Sequence, residues 1–322
     1  MTSPGWRVWI DTGGTFTDAV GVAPDGSVHR AKVLSNASLR GTIRYLRSAD
    51  RIVARTTWTG PPDLCVGWMF RVLAHPDPVG IRVTRYDPDR GTIDLAHPLH
   101  DAPFPGVPFE IVAPEEAPVV AAQLLTGTPA GAPLPIASIR LATTHGTNAL
   151  LERRGARTAL FVSSGFADLL AIGDQARPEL FTLDVRQPPG LAHAIVEVPG
   201  RLGPDGAEEK PLSLDDVRAR AEALVEDGVR SAAVALLHAW REPRHERAVA
   251  EVLRGAGFTH VSCSSDLARS IGAVTRTRTT LVDAYLAPIV GGYLERVGAK
   301  AGDATLHVMT SAGGLIRPED YR

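Results

Sequence analysis

Between residues 11 and 18 the chain reads Asp11-Thr12-Gly13-Gly14-Thr15-Phe16-Thr17-Asp18: three hydroxyls and a glycine pair enclosed by two carboxylates. Glycine pairs let another group approach the backbone closely, and successive backbone N–H groups in such a turn form a concavity for anions. Thr12, Thr15 and Thr17 add hydroxyl donors. Asp11 stands where one carboxylate can hold a hydrated Mg²⁺, an ion that takes few protein ligands and fills its shell with water and substrate phosphates. The chemistry these residues suit is phosphate and metal binding. Gly13-Gly14 between two strands also fits an ordinary hairpin turn.

A second polar cluster, Thr144-His145-Gly146-Thr147-Asn148, follows a strand-like run at Ile139 to Thr143. It falls at the carboxyl end of that strand, where open α/β sheets bind ligands; taken singly, the same residues suit a helix cap and a turn. Other chemistries lack their signatures. There is no Gly-x-x-x-x-Gly-Lys-Ser/Thr loop, no Gly-x-Gly-x-x-Gly and no Gly-x-Ser-x-Gly. His245-Glu246 opens a zinc-protease pattern, but Val249 occupies the position of the second histidine; the pair is expected on a solvated helix face.

The elements that must position these clusters follow from periodicity. Trp6 to Ile10 and Ala19 to Val22 predict two strands of a hairpin, and Ser27 to Leu34 a third, so an antiparallel meander carries the Gly-Gly loop at one tip. Residues 36–135 are rich in proline and turns. They predict a small β-rich insertion with a helix near Leu64 to Leu73, strands at Ile81 to Tyr86, Thr92 to Leu95 and Phe109 to Val112, and a helix from Glu115 to Leu125. From Ile136 the pattern becomes strand, turn, helix, strand. A helix at Ala149 to Arg154 leads to strands at Arg157 to Val162, Ser231 to Leu237 and Thr259 to Cys263, with helices between. This alternation predicts a doubly wound α/β sheet. The longest helical pattern, Thr279 to Val297, carries Leu281, Tyr285, Ile289 and Tyr293 on one stripe, and Pro288 inside it should kink or split it. The expected division is residues 1–35 with 136–190, an insertion at 36–135, and an α/β part at 191–322.

A length of 322 residues suits two domains. A net charge of −2 with 22% charged residues gives no support for a nucleic-acid or membrane-surface partner, and no run reaches the roughly 20 apolar residues of a membrane span. Cys65 and Cys263 lie far apart, which speaks against a disulfide scaffold or zinc cluster and makes a reducing cytoplasm the expected compartment.

The order Asp-x-Gly-Gly-Thr-x-Thr-Asp after an amino-terminal strand resembles the first phosphate motif of the actin, sugar-kinase and heat-shock ATPase superfamily, whose fold is ribonuclease H-like. The longer run from Ile10 to Asp18 resembles the opening of the hydantoinase A/5-oxoprolinase family. Thr143 to Gly155 is similar to a signature stretch of that family, with His145 replacing a more usual small apolar residue. The likeness continues through Gly165 to Asp168, Ile172 to Pro178, Leu236 to His238, Arg276 to Thr280 and Met309 to Leu315.

The resemblance implies ATP and Mg²⁺ as cofactors and the ATP-dependent hydrolytic opening of a cyclic amide, either 5-oxoproline or a hydantoin. Thr12, Gly13, Gly14, Thr15, Phe16, Thr17, Asp18 and Thr144, His145, Gly146, Thr147, Asn148 would contact the nucleotide, and Asp11 the metal. In the family a second Asp-x-Gly-Gly-Thr motif and the adenosine-binding glycines lie beyond the Ser-x-Gly-Gly-Leu segment. The chain stops at Arg322, which implies half a nucleotide site: a truncated product, one piece of a split gene, or a fragment of a longer enzyme. The implied partners are a hydantoinase B-type subunit or the carboxyl-terminal half. Two alternatives stand beside this reading, a non-catalytic assembly module and a subunit of an ATP-dependent carboxylase related to acetone carboxylase.

Overall fold

The computed structural model describes residues 5–73, 80–99, 105–175, 181 and 189–321. The chain opens with strands β1 (Trp6–Thr12), β2 (Phe16–Val22) and β3 (Val28–Leu34). Six strands follow: β4 (Ser38–Ser48), β5 (Arg51–Thr56), β6 (Met69–Val72), β7 (Ile81–Asp87), β8 (Thr92–Leu95) and β9 (Pro108–Val112). Helix α1 (Ala117–Thr126), strand β10 (Ile136–Thr143) and helix α2 (His145–Leu151) come next. Then come β11 (Thr158–Ser163), α3 (Leu169–Ile172), β12 (Ala194–Val198), and the short hairpin β13 (Arg201–Leu202) and β14 (Glu208–Lys210). After these the chain forms α4 (Leu214–Glu226), β15 (Ser231–Ala235), α5 (Arg244–Ala256), β16 (His260–Cys263) and α6 (Ser264–Leu267). The long helix α7 (Ala273–Ala301) and strands β17 (Thr305–Met309) and β18 (Leu315–Ile316) complete it.

Two compact units result, one of Met1–His145 with Gly291–Tyr321 and one of Gly146–Val290. The first contains a six-stranded sheet in the order β18-β17-β10-β1-β2-β3. Strands β1, β2 and β3 form the antiparallel meander, while β10 runs parallel to β1 and β17 parallel to β10. Meander strands joined to parallel strands in this order give the ribonuclease H-like arrangement. Val8, Ile10 and Thr12 point to the buried side of β1, and α1 packs on β2 and β3. Its almost wholly buried residues show why that helix forms here: Val119, Val120, Ala121, Ala122 and Leu125 give it an apolar surface, and Gly127 ends it in the left-handed conformation.

Strands β4 to β9 form a closed barrel in the order β4-β5-β8-β7-β6-β9. Ile43, Ile52, Phe70, Val83, Ile93, Phe109 and Ile111 fill it, all with no exposure. The sequence pattern predicts a helix near Leu64 to Leu73, but the chain turns there and then enters β6. Asp63 (φ 58°) and Gly67 (φ 87°) hold left-handed backbone that no helix accommodates, and Phe70 joins the barrel interior by stacking on Phe109 at 5.0 Å.

The second unit holds a parallel sheet ordered β12-β11-β15-β16. Every residue of β11 and of β15 is buried, as expected of strands covered on both faces. One face packs with α4 and α5 around Phe161, Val234, Val249, Leu253 and Phe258. The other packs Leu160, Val162 and Ala233 against Leu281 and Ala284 of α7.

Helix α7 runs through Pro288 without a break. Proline cannot donate to the carbonyl four residues earlier, which is that of Ala284. That carbonyl instead accepts from Ser231 Oγ at 2.5 Å and Thr158 Oγ1 at 3.4 Å, on β15 and β11. The backbone N–H of Ala156 likewise donates to Tyr285 O at 2.9 Å. The neighbouring sheet supplies the donors that proline removes.

The His245-Glu246 pair is buried, not solvated: Glu246 has no exposure. Its Oε1 accepts from Leu236 N at 2.9 Å and Ser264 Oγ at 2.6 Å, and its Oε2 from Ser265 N at 2.9 Å. Arg276 completes the cluster by donating to Ser264 Oγ and to Leu236 O. Burial pushes the Glu246 carboxyl up, against these hydrogen bonds.

Candidate functional site

The Gly-Gly loop lies between β1 and β2, with Thr12 opposite Thr17 and Asp11 opposite Asp18. Gly13 and Gly14 are absent from the positive-φ positions, so the turn does not use that freedom. Its tightness comes from a bond between Gly13 N and Phe16 O at 3.0 Å; a Cβ on Gly13 would sit 3.3 Å from that same oxygen. The residue after β3 clamps the loop from outside: Ser35 Oγ donates to Gly13 O at 2.8 Å and Ser35 N to Thr15 O at 2.9 Å. These bonds leave the N–H groups of Gly14 and Thr15 at the tip without a described acceptor.

The loop's side chains divide. Thr12 and Thr17 are buried; Thr17 Oγ1 lies 3.2 Å from Ser35 Oγ, and Tyr293 donates its phenol to Thr12 Oγ1 at 3.5 Å. Strand alternation explains this, because both sit on the core-facing side of their strands. Thr15 and Phe16 face outward. Asp18 is held by Lys32 at 2.8 Å, and the same ammonium lies 4.6 Å from the Phe16 ring centroid. Asp11 is exposed and makes no ion pair among the described residues.

The second polar cluster meets the loop through β10. Thr143 pairs with Thr12, and Thr144 donates to Thr12 O through its N–H at 2.9 Å and its hydroxyl at 3.3 Å. The region expected as a loop is the first turn of α2, with His145 N donating to Thr143 Oγ1 at 3.1 Å. His145 stacks on Tyr293 with centroids 4.5 Å apart and planes 12° apart. Burial lowers its pKa; Glu116 raises it and Arg296 lowers it further, so the imidazole is neutral at neutral pH. Gly146, Thr147 and Asn148 belong to the second unit.

A third loop ends at the same edge. Strand β17 is parallel to β10, and Thr310 to Gly314 close a tight turn in which Gly314 N donates to Thr310 Oγ1 at 3.2 Å. Residues from three neighbouring parallel strands of the first unit, β1, β10 and β17, thus reach one carboxyl edge, the edge where open α/β sheets take ligands. Sequence reasoning placed this third segment in the family likeness without assigning it to the site, and it missed the clamp by Ser35 and the support by Tyr293. Ser35 was reachable, because the register of the predicted meander puts it beside Thr15. Tyr293 was not, since helical periodicity gives its face and not its neighbour.

Donor chemistry limits the metal this edge would take. Among the described residues no three histidine, cysteine or acidic side chains cluster as metal ligands. Asp11 supplies one free carboxylate, which fits a hydrated Mg²⁺ shared with phosphate and not an all-protein cage. Elsewhere, Ser262, His260 and Asp283 lie together, but Ser262 donates to Asp283 at 2.7 Å and His260 turns the same nitrogen to both. No carboxylate orients the far side of the ring, so this is no nucleophile relay.

The segments that carry the family resemblance lie in both units. Gly165 to Asp168 follow β11, Leu236 to His238 follow β15, and Arg276 to Thr280 lie in the first turns of α7. Ala176 to Pro178 lie outside the described residues.

The sheet order gives an α/β fold of the actin-like ATPase type. The solved structure of nucleotide-free acetone carboxylase shares this fold: it aligns with 98% of the chain and 37% of its own length, with a TM-score of 0.60 at 17% identity. The chain belongs to the hydantoinase/oxoprolinase family, whose model of the N-terminal region matches residues 7–58 and 112–257, more than half of the chain. It is 38% identical over 200 residues to 5-oxoprolinase 1 of Arabidopsis thaliana, covering 55% of this chain and 16% of that protein. It is 34% identical over 221 residues to the 5-oxoprolinase of Saccharomyces cerevisiae, covering 58% and 17%. The chain therefore spans about a sixth of the length of these relatives. The family match passes over residues 59–111, which hold most of the barrel.

Proposed function

We propose that this chain is the phosphate-handling part of an enzyme that spends ATP to open a cyclic amide of the 5-oxoproline or hydantoin type. One observation carries the reading: a loop clamped by Ser35 and by its own Gly13–Phe16 bond presents the free N–H groups of Gly14 and Thr15 beside the unpaired carboxylate of Asp11. Preorganised backbone donors at a strand's carboxyl end suit a phosphate oxygen and cost no reorganisation when it binds. Asp11 would hold Mg²⁺ through water, and that ion would supply charge neutralisation at the transferred phosphoryl group. Lys32 keeps Asp18 away from the phosphates, and Tyr293 and Ser35 hold Thr12 and Thr17 as scaffold.

The chemistry asks for this machinery. An amide oxygen is a poor leaving group; taking the γ-phosphoryl group of ATP makes it a good one. Water then adds at the activated ring carbon, the C–N bond breaks with the proton going to the ring nitrogen, and a second water hydrolyses the resulting acyl phosphate to the carboxylate and inorganic phosphate. The relatives named 5-oxoprolinase support a cyclic amide as the phosphoryl acceptor. The partner this reading implies is a B-type subunit or a further length of family polypeptide.

The test is nucleotide binding, with and without Mg²⁺, by wild type and by Asp11→Ala, followed by ATP hydrolysis with 5-oxoproline or hydantoin after the remaining family polypeptide is added. Asp11 is exposed, so its truncation should change stability by no more than about 0.5 kcal/mol and remove the Mg²⁺ dependence of binding. An Asp11→Ala protein that binds nucleotide with unchanged Mg²⁺ dependence refutes the metal assignment.

A further inference from the structure

The parallel strands of the first sheet, β1, β10 and β17, are covered on one face only. On the inner face Val8, Ile10, Ile139, Leu141, Leu306 and Val308 are buried, and α1 packs on the meander. On the outer face Arg7, Trp9, Ser138, Arg140, Thr305 and His307 alternate with them, and none of these is buried. Parallel strands are ordinarily covered on both faces, as β11 and β15 are in the second unit. Large apolar side chains also collect on this outer face: Trp9, Phe16, Val20, Met309 and Leu315 are all exposed. Phe16 and Val20 alternate with the buried Thr17 and Ala19 on β2, and Leu315 pairs with Met309 across β17 and β18. Exposed apolar side chains gathered on one face mark an interaction surface.

The strand registers order this face. Arg140 lies beside Trp9, Trp9 beside Val20, and Val20 beside Arg30. The row is apolar at its centre and cationic at both ends, and three strand spacings make it about 14 Å long. Arg140 rests over the Trp9 ring, 5.2 Å from its centroid. Neither Arg140 nor Arg30 has a carboxylate partner among the described residues, and Arg7, two residues before Trp9, has none either. Two carboxylates share the face. Asp18 is held by Lys32, and Asp11 stands at the carboxyl rim, beyond Trp9. An α-helix with its side chains is about 10–12 Å across. Laid along β1 and β2, a helix covers Trp9 and Val20 and brings its two flanks over Arg140 and Arg30. The row therefore fits a helix whose apolar stripe is bordered by Asp and Glu.

We propose that the outer face of this sheet is the seat of an amphipathic helix with acidic flanks, contributed by a further length of family polypeptide. The relatives point to that source: the matched stretch is 16% and 17% of the two 5-oxoprolinases, which carry the remainder in the same chain. A helix tethered in one chain meets the face as an intramolecular partner, at a high effective concentration. The proposal rests on the uncovered face and on family membership, and it is independent of which substrate the enzyme takes.

The test is an array of overlapping peptides, each about five helical turns long, covering the Saccharomyces cerevisiae 5-oxoprolinase outside the stretch this chain matches. The whole chain is the binding protein. The peptides that bind should carry apolar residues at helical spacing with Asp and Glu beside them, and Trp9→Glu should weaken them at least about tenfold, the effect of one lost anchor. Arg30→Glu should weaken the same peptides and strengthen their versions with Lys in place of Asp and Glu. No bound peptide, a preference for basic peptides, or binding that survives both substitutions overturns the proposal. Should Trp9→Glu misfold, oxidative footprinting of the wild type decides: a bound peptide must protect Trp9 and Met309, and unchanged oxidation overturns the proposal. Sedimentation of the chain alone tests the rival occupant. A dimer that Arg30→Glu or Trp9→Glu dissociates would assign the face to a second copy and overturn the proposal; a monomer is expected.

Discussion

His145 and Tyr293 stack face to face beneath the loop edge, and this contact fixes how the site responds to acid. The imidazole is half-buried and hard to protonate. Its folded pKa lies below the ordinary value of about 6.5. The unfolded chain therefore takes up the proton first, and the stability this residue contributes is fully present above that value and lost as pH falls through it toward the folded pKa. Relative to His145→Asn, wild type should lose more thermal stability between neutral pH and about pH 5; parallel melting curves for the two proteins would overturn this. Asp11 behaves differently, since no described residue pairs with its carboxylate, and its expected phenotype is confined to Mg²⁺-dependent binding. Thr12 and Thr17 show the limit of reading residue types alone. Both carry hydroxyls in a motif suited to phosphate, yet strand alternation turns them into the core.

Among the elements, α7 gives the sharpest test. Pro288 frees the Ala284 carbonyl, and Ser231 occupies it from the sheet. Ser231→Ala should cost about 1–3 kcal/mol, because it leaves a buried acceptor unsatisfied. Pro288→Ala restores a helical N–H to the same carbonyl, so in that background Ser231→Ala should cost markedly less. A double-mutant cycle by urea unfolding measures the difference, and additive losses would show that the hydroxyl does not replace the missing donor. The periodicity of α7 was legible from Leu281, Tyr285 and Tyr293, and so was the proline. That the helix would continue through it was not, because the compensating donors come from β11 and β15, far away in sequence.

At the scale of the whole chain the two cysteines report separately on two regions. Cys65 lies in the barrel segment and has no exposure; Cys263 closes β16 and is 5% exposed. Burial pushes both thiols up to about 12, so neither holds a useful thiolate population at neutral pH. The native protein should be inert to a thiol-specific reagent at pH 8, and the labelling rate of each cysteine in urea should follow the unfolding of its own unit. Rapid labelling of either in the native state would show that its surroundings open locally. Among the described residues no helix is long and apolar enough to cross a membrane.

The sequence by itself determined the meander, the tight turn between Asp11 and Asp18, the parallel strands of the second unit and the family resemblance. These rest on local information: alternation within a strand, glycine at a turn, unbroken apolar runs. Residues 38–112 resisted because a closed barrel is held by pairings between strands distant in the chain, such as β4 with β9, and proline-rich connections hide its period. Local pattern likewise put Glu246 on a solvated face, while its burial follows from three donors that arrive from other elements. Which hydroxyls of the phosphate motif remain free, which carboxylate is taken by Lys32, and that Thr310 to Gly314 reach the same edge as Thr12 were decided only by tertiary structure. The physical reason is common to all of them: a hydrogen bond or ion pair depends on what lies across the fold, and spacing along the chain carries no record of that.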